Sequence, residues 1–132
     1  MALIDHLTLN VSDYARSRAF YEKALAPLGV KPVMEFGEAC GFGRDQKPDF
    51  WIGKGPTSFQ KPEHLAPITP VHVALSARTR DEVRAFHAAA LAAGATDHGA
   101  PGLRPEYHAT YYGAFVLDPD GHNVEAVCHR PE

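Results

Sequence analysis

The chain contains an internal repeat, and this repeat constrains its fold more than any other feature of the sequence. The segment IDHLTLNVSDYARSRAFYEKALA (residues 4–26) aligns with PVHVALSARTRDEVRAFHAAALA (residues 70–92) at an offset of 66 residues, half of the 132-residue chain. Self-similarity at a fixed spacing is typical of repeated supersecondary units. The sequence therefore predicts a single domain of two related modules: module one at 1–54, a Pro-rich and polar linker at 55–69, and module two at 70–132.

Each copy of the repeat begins with a strand pattern that is followed directly by a helix pattern. Apolar residues alternate with others along 3–11 and 71–77, which is the period of a half-buried strand. A serine or an aspartate can cap the first helix, and Thr79 with Glu82 forms a capping box for the second. Both helices carry an apolar stripe at helical spacing.

Shorter strand patterns follow each helix, and the last two are joined by a predicted hairpin. The segment DPDG at 118–121 has Asp first, Pro second and Gly fourth, as a type I turn requires. The fold class predicted is α+β, with two tandem βαβββ modules that form a U-shaped cleft of mixed sheet and keep their helices outside. The later strands are predicted at 31–36, 39–44 and 49–53 in module one and at 96–98, 111–117 and 123–129 in module two.

Charge and composition exclude several classes of protein. The formal net charge of −3 gives no basic footprint for nucleic acid. No apolar run is long enough to cross a membrane, and the first residues do not resemble a signal peptide. Two cysteines are too few for a disulfide framework. We therefore expect a cytoplasmic protein with neither nucleic acid nor membrane as a partner.

Strand parity predicts that two histidines and one carboxylate share the inner face of the sheets. If the apolar residues of each strand pack under the helices, His6, His72 and Glu125 all point to the opposite face. Two neutral imidazoles and a carboxylate can hold a borderline divalent ion and leave open positions for substrate. The alternatives are that each histidine only packs, that the glutamate is solvated, or that the matching positions are a remnant of duplication without function.

These segments resemble the glyoxalase/bleomycin resistance protein/dioxygenase superfamily, also called vicinal oxygen chelate proteins. The resemblance covers essentially the whole chain and rests on DHLTLNVSDYARSRAFYEKALAPLG, VHVALSA and, most specifically, AFVLDPDGHNVEAV. It implies metal ligands on the first strand of each module and on the last strand, at positions that match His6, His72 and Glu125. It further implies one divalent metal (Fe, Mn, Ni or Zn), a small-molecule substrate and a homodimer.

One departure from the family pattern bears on the reaction. Glyoxalase I-like members take a fourth ligand from the last strand of the first module, but here that strand reads DFWIGKG and offers no suitable residue. The resemblance therefore implies a metal-dependent lyase or dioxygenase-like enzyme that acts on a small oxygen-rich substrate and is not lactoylglutathione lyase. The alternative is a metal-free ligand-sequestering protein of the bleomycin-resistance type, with an apolar, aromatic cleft.

The segment GAPGLRPEYHATYYG (99–113) is predicted to be a lid over the cleft, because it is rich in Gly, Pro, His and Tyr. His108 is predicted to transfer protons, with Tyr112 as a second catalytic residue. The alternative is that this segment is an ordinary surface loop. The residues expected to contact substrate are Arg104, Tyr107, Trp51 and Phe42.

Overall fold

The structure is a computed structural model that describes residues 2–132, which form two four-stranded sheets and two α-helices. The order of strands is β1-β4-β3-β2 in the first sheet and β5-β8-β7-β6 in the second, and in each sheet the first two strands of this order are parallel. The predicted α+β fold of two βαβββ modules is confirmed. The elements are β1 (Leu7–Asn10), α1 (Tyr14–Leu25), β2 (Lys31–Phe36), β3 (Ala39–Gly43), β4 (Phe50–Gly53), β5 (His72–Ser76), α2 (Arg80–Ala92), β6 (Thr96–Leu103), β7 (Tyr112–Leu117) and β8 (Asn123–Cys128).

The helices begin at the caps that the sequence predicts. The side chain of Asp13 accepts a hydrogen bond from the Arg16 backbone at 3.1 Å, and the Thr79 hydroxyl accepts one from the Glu82 backbone at 3.1 Å. Each bond satisfies a backbone N–H that a helix start would otherwise leave unpaired. The carboxylate of Glu82 reaches back to the Arg78 N–H, one residue before the cap that a standard capping box would use.

Strand β6 is longer than predicted, and this changes the interpretation of the segment called a lid. The pairing of β6 with β7 shifts register at two places, between Asp97 and Gly99 and between Gly99 and Gly102. These irregularities let the strand continue to Leu103. The first part of the predicted 99–113 loop is therefore strand, and the true connection is closed by a bond from the Arg104 N–H to the carbonyl of Tyr111.

One hydrophobic core lies between the helices and both sheets. The helices pack against each other and bury Phe20, Tyr21 and Phe86 against core-facing residues of the strands. Fully burying one such aromatic side chain contributes roughly 1.5–3 kcal/mol. Because the helices cover one face of each sheet, polar groups that are not used for packing are placed on the other face. Within residues 2–132, no helix is long and apolar enough to span a membrane.

The turn between β7 and β8 joins the two modules, and we call Asp118, Asp120 and His122 the intermodule clamp. Asp118 accepts a hydrogen bond from the hydroxyl of Tyr21 at 2.5 Å, and Asp120 accepts one from the hydroxyl of Ser12 at 2.5 Å. His122, which is buried, lies 2.8 Å from the carbonyl oxygen of Asn10 through its Nε2. The predicted hairpin is confirmed, and its turn also contacts the strand and helix that begin module one.

Candidate functional site

Glu125 is the buried carboxylate of the second sheet, and it faces away from the helices. Its neighbours along β8, Val124 and Ala126, are both part of the hydrophobic core, so alternation puts Glu125 on the opposite face. The side chain is 0% exposed, and its Oε1 lies 2.9 Å from Nε2 of His72, whose side chain is 53% exposed. A carboxylate that is shielded from water requires a hydrogen-bonding or charged partner such as this histidine. The carboxylate of this pair is therefore enclosed by protein, whereas the imidazole is accessible to a ligand.

Tyr111 is the second partner of Glu125, a role that the sequence pattern did not assign to it. Its hydroxyl donates a hydrogen bond to Oε2 of the carboxylate. Burial, together with this bond, raises the pKa of the Tyr111 hydroxyl, so that it keeps its proton and remains a donor. Gly113 leaves the space for the contact, because a Cβ there would lie 3.2 Å from Oε2 of Glu125 and 3.1 Å from the Tyr111 ring. Both oxygens of the carboxylate are therefore held by side chains.

A polar cavity of about 350 Å³ opens beside this pair. Two of the residues predicted to contact substrate, Arg104 and Tyr107, share it with His72. Nε2 of His72 is directed at Oε1 of Glu125, 2.9 Å away. The cavity is lined by His72, His98, Arg104, Tyr107, Phe115 and Asn123.

His6 is not brought to this pair within one chain. It lies just before β1, is exposed, and its Nδ1 is 2.7 Å from the carboxylate of its neighbour Asp5. Across residues 2–132, no group of three His, Cys, Asp or Glu side chains is close enough to hold an ion. The predicted three-ligand centre is therefore not assembled from a single copy.

The chemistry and spacing of His72 and Glu125 nevertheless fit two ligands of one divalent ion. Ligand atoms that each lie about 2.1 Å from an ion, at a right angle, are about 3.0 Å apart. The separation of 2.9 Å between Nε2 of His72 and Oε1 of Glu125 agrees with that spacing. A neutral imidazole and a carboxylate are both ordinary ligands of such ions. Two of the three residues predicted as ligands, His72 and Glu125, are therefore adjacent, and we call this pair the half-site.

Tyr112 and His108, the predicted catalytic residues, lie elsewhere. Tyr112 points toward the helices, where its hydroxyl accepts a hydrogen bond from Arg84 at 2.8 Å and the Arg80 guanidinium lies 5.0 Å from its ring centre. Tyr112 is therefore on the face opposite Glu125, together with Ala114 and Val116, which belong to the core. His108 lies on the exposed loop between β6 and β7 and contacts Thr110 through Nδ1.

The two aromatic residues predicted from module one have different environments. Phe42 is fully buried and packs against Tyr21 and Phe50, so the expectation that it lines a cleft was wrong. Trp51 is on the other face of its sheet, partly exposed, and its ring stacks on that of Phe36 with centroids 6.1 Å apart. Only Trp51 of this pair is open to a ligand or a partner surface.

Comparison with solved structures finds the same fold in several bacterial proteins. A glyoxalase/bleomycin resistance protein from Albidiferax ferrireducens T118 superposes with a TM-score of 0.79 at 26% identity, covering 98% of this chain and 100% of the other. An enzyme of the glyoxalase/bleomycin resistance protein/dioxygenase family from Burkholderia phytofirmans PsJN gives a TM-score of 0.70 at 16% identity, covering 98% and 100%. Lactoylglutathione lyase from Agrobacterium tumefaciens gives 0.68 at 17% identity, covering 97% and 94%.

Sequence comparison identifies the family. A search of curated protein sequences returns no match. The family model described as Glyoxalase/Bleomycin resistance protein/Dioxygenase superfamily matches residues 3–126, which include both modules and the half-site. Because this match spans nearly all of the chain, and the fold agrees with it, the protein belongs to the glyoxalase/bleomycin resistance protein/dioxygenase superfamily.

Proposed function

We propose that this protein is a metal-dependent enzyme that acts on a small, oxygen-rich substrate bound beside the half-site. The observation that carries the proposal is the pairing of a fully buried carboxylate, Glu125, with a half-exposed histidine, His72, next to a polar cavity. Burying an ionisable group has a free-energy cost, and such groups cluster where a protein performs chemistry or binds ions.

The proposed metal ligands are His72 and Glu125 of one copy and His6 of a second copy in a homodimer. His6 is exposed and has only its neighbour Asp5 as a partner, so it is free to contribute to another chain. A two-fold axis would bring His6 of each copy to the half-site of the other and produce two equal sites. This arrangement supplies the third ligand without rearranging the core of either copy.

Each chain residue has a separate role in the proposed reaction. A divalent ion held by His72, Glu125 and His6 of a second copy would supply Lewis acidity toward substrate oxygens. Tyr111 orients the Glu125 carboxylate through one oxygen and leaves the other directed at His72. Arg104 and Tyr107 hold the substrate from the cavity wall. His108 is proposed as the proton acceptor in a closed form of the loop between β6 and β7.

We do not propose the lactoylglutathione lyase reaction for this protein. Strand β4 carries Phe50, Trp51 and Ile52 at the region from which a fourth ligand would come, and two of these side chains are buried. None of them has a donor atom for a metal of this type. The likeness to the Agrobacterium lyase therefore supports the shared fold and leaves the substrate open.

A metal-free binding protein is the second candidate, and one observation favours it. Both oxygens of Glu125 already have hydrogen-bond partners, His72 and Tyr111, so the carboxylate is satisfied without an ion. In that case the cavity would sequester a ligand and the histidine would serve as a hydrogen-bonding group. The two candidates differ in one measurable property, which is the affinity of the protein for divalent metals.

Calorimetric titration of untagged, chelator-treated protein with Mn, Fe(II), Ni and Zn tests the proposal. We expect Glu125→Gln to weaken metal binding at least tenfold, which is about 1.4 kcal/mol, because the negative ligand is lost while the shape is nearly kept. Glu106→Gln removes the same charge from the exposed loop between β6 and β7 and should change the affinity less than threefold. Equal affinity of wild type and Glu125→Gln, or no binding by either, would reject the metal site and favour the metal-free candidate.

A further inference from the structure

We propose that Arg104 is a preorganised anchor for a negatively charged group, so that the substrate class is small oxygen-rich anions. The inference rests on the proposed function, because it assumes that the cavity beside His72 is the substrate cavity. The anionic group would be a carboxylate or a tetrahedral oxyanion such as a phosphate. Both are recognised by the fork of N–H donors on a guanidinium.

The guanidinium of Arg104 lies against strand β6, beside two glycines. A Cβ at Gly99 would lie 3.2 Å from its Nη2, and a Cβ at Gly102 would lie 3.1 Å from its Nη1. Either distance is tighter than an ordinary van der Waals contact. The absence of both side chains is therefore what allows the charged head to rest against the backbone.

Two further contacts fix the orientation of this group. Nη2 donates a hydrogen bond to the carbonyl of Ala100 at 2.8 Å, and the guanidinium carbon lies 5.4 Å from the ring centre of Phe115. A free arginine side chain populates many rotamers, and part of that freedom is already lost here before a ligand arrives. The bond to Ala100 uses one of five N–H donors, so the others remain for an anion.

The charges around the cavity favour an anion over a cation. The ion pairs formed within residues 2–132 do not include Arg104, so its charge is not compensated by a neighbouring carboxylate. The polar side chains that line the cavity are an arginine, two histidines, an amide and a phenol. Glu125 is fully buried and is bound by His72 and Tyr111. An anion held by Arg104 would present its remaining atoms to His72 in the same cavity.

The test is a titration of chelator-treated wild-type protein with two probes, acetate and inorganic phosphate, followed by NMR or calorimetry. We expect saturable binding of at least one probe, with the dissociation constant at least tenfold higher in Arg104→Gln. The control Arg16→Gln removes the same charge from an exposed position on α1 and should change the constant less than threefold. Tighter binding of acetate would identify a carboxylate as the preferred group, and tighter binding of phosphate a tetrahedral oxyanion.

A second variant tests whether the position of the Arg104 guanidinium matters when its charge is kept. Gly102→Ala keeps Arg104 but places a methyl group against its Nη1, so it should weaken probe binding at least threefold without a large change in thermal unfolding. Equal binding by wild type and Arg104→Gln, or no saturable binding of either probe at millimolar concentrations, would overturn the inference. Because the protein is metal-free in this test, failure here leaves the metal titration unaffected, and failure of the metal titration leaves this one interpretable.

Discussion

At the scale of single residues, the site is built around one buried carboxylate that needs a partner for each oxygen. Glu125 has no exposed surface, and its two oxygens are bound by His72 and Tyr111. A buried acceptor that loses its partner bears the full cost of desolvation, about 1–3 kcal/mol. The hydroxyl of Tyr111 is therefore as important to the site as the two proposed ligands that the sequence identifies.

Replacing Tyr111 with Phe should show how much its hydroxyl contributes to stability. We expect the free energy of unfolding of chelator-treated protein to fall by about 1–2 kcal/mol in urea denaturation, because Oε2 of Glu125 is left buried without a donor. Tyr107→Phe is the matched control, since Tyr107 is 63% exposed, and it should change stability by less than about 0.5 kcal/mol. Equal stability of the two variants would mean that Tyr111 does not hold the carboxylate in solution.

The sequence predicted the inner-face positions of His72 and Glu125 because strand alternation is a strong and local rule. The same rule could have found Tyr111. Ala114 and Val116 are apolar and core-facing, so the odd-numbered positions of β7 and the residue just before it share the face of Glu125. Tyr112 was chosen instead because residue type was weighed without parity. Packing of Phe42 was missed for a similar reason, since an aromatic residue by itself does not indicate core or cleft.

At the scale of elements, the hairpin of β7 and β8 carries both the intermodule clamp and Glu125. The strand that carries Glu125 begins directly after His122, whose Nδ1 accepts a bond from the Val71 N–H at 3.1 Å and whose Nε2 donates to the carbonyl of Asn10 at 2.8 Å. This pattern requires a neutral ring with its proton on Nε2. The clamp thus fixes β8 against the start of β5 and against the end of β1.

Replacing His122 with Ala should weaken the association of the modules. We expect a loss of about 2–3 kcal/mol of unfolding free energy in urea, because two backbone groups lose their partner and a buried ring is removed. His6→Ala, at an exposed position, should cost less than about 0.5 kcal/mol in the same chelator-treated protein. A cost for His122→Ala no larger than that of the control would contradict the clamp.

Element boundaries were the part of the fold that sequence patterns determined least well. The patterns predicted both helices, their caps and the DPDG turn, because each depends on residues within a few positions. They did not predict that β6 continues to Leu103, since register shifts depend on the partner strand. They also extended β1 to Leu3, although Leu3 and Ile4 are exposed and lie before the strand.

At the scale of the whole molecule, the two modules share a hydrophobic core, but residues 2–132 of one copy bring no three potential metal ligands together. The duplicated histidines have different surroundings, since His72 meets Glu125 and His6 meets Asp5. A repeat in one sequence cannot reveal whether related faces meet within a chain or between two chains. The separation of His6 from the half-site is therefore the structural reason for proposing that two copies build each site.

Complementation between two defective variants tests whether two copies build each metal site. His6→Ala and His72→Ala would be coexpressed with different non-histidine tags, and the mixed pair purified and titrated with metal. If sites are shared, the mixed pair has one site with all three ligands and one with neither histidine. We predict near wild-type affinity at half the wild-type stoichiometry, while each variant alone binds at least tenfold more weakly. A mixed pair that binds no better than either variant alone would contradict the account.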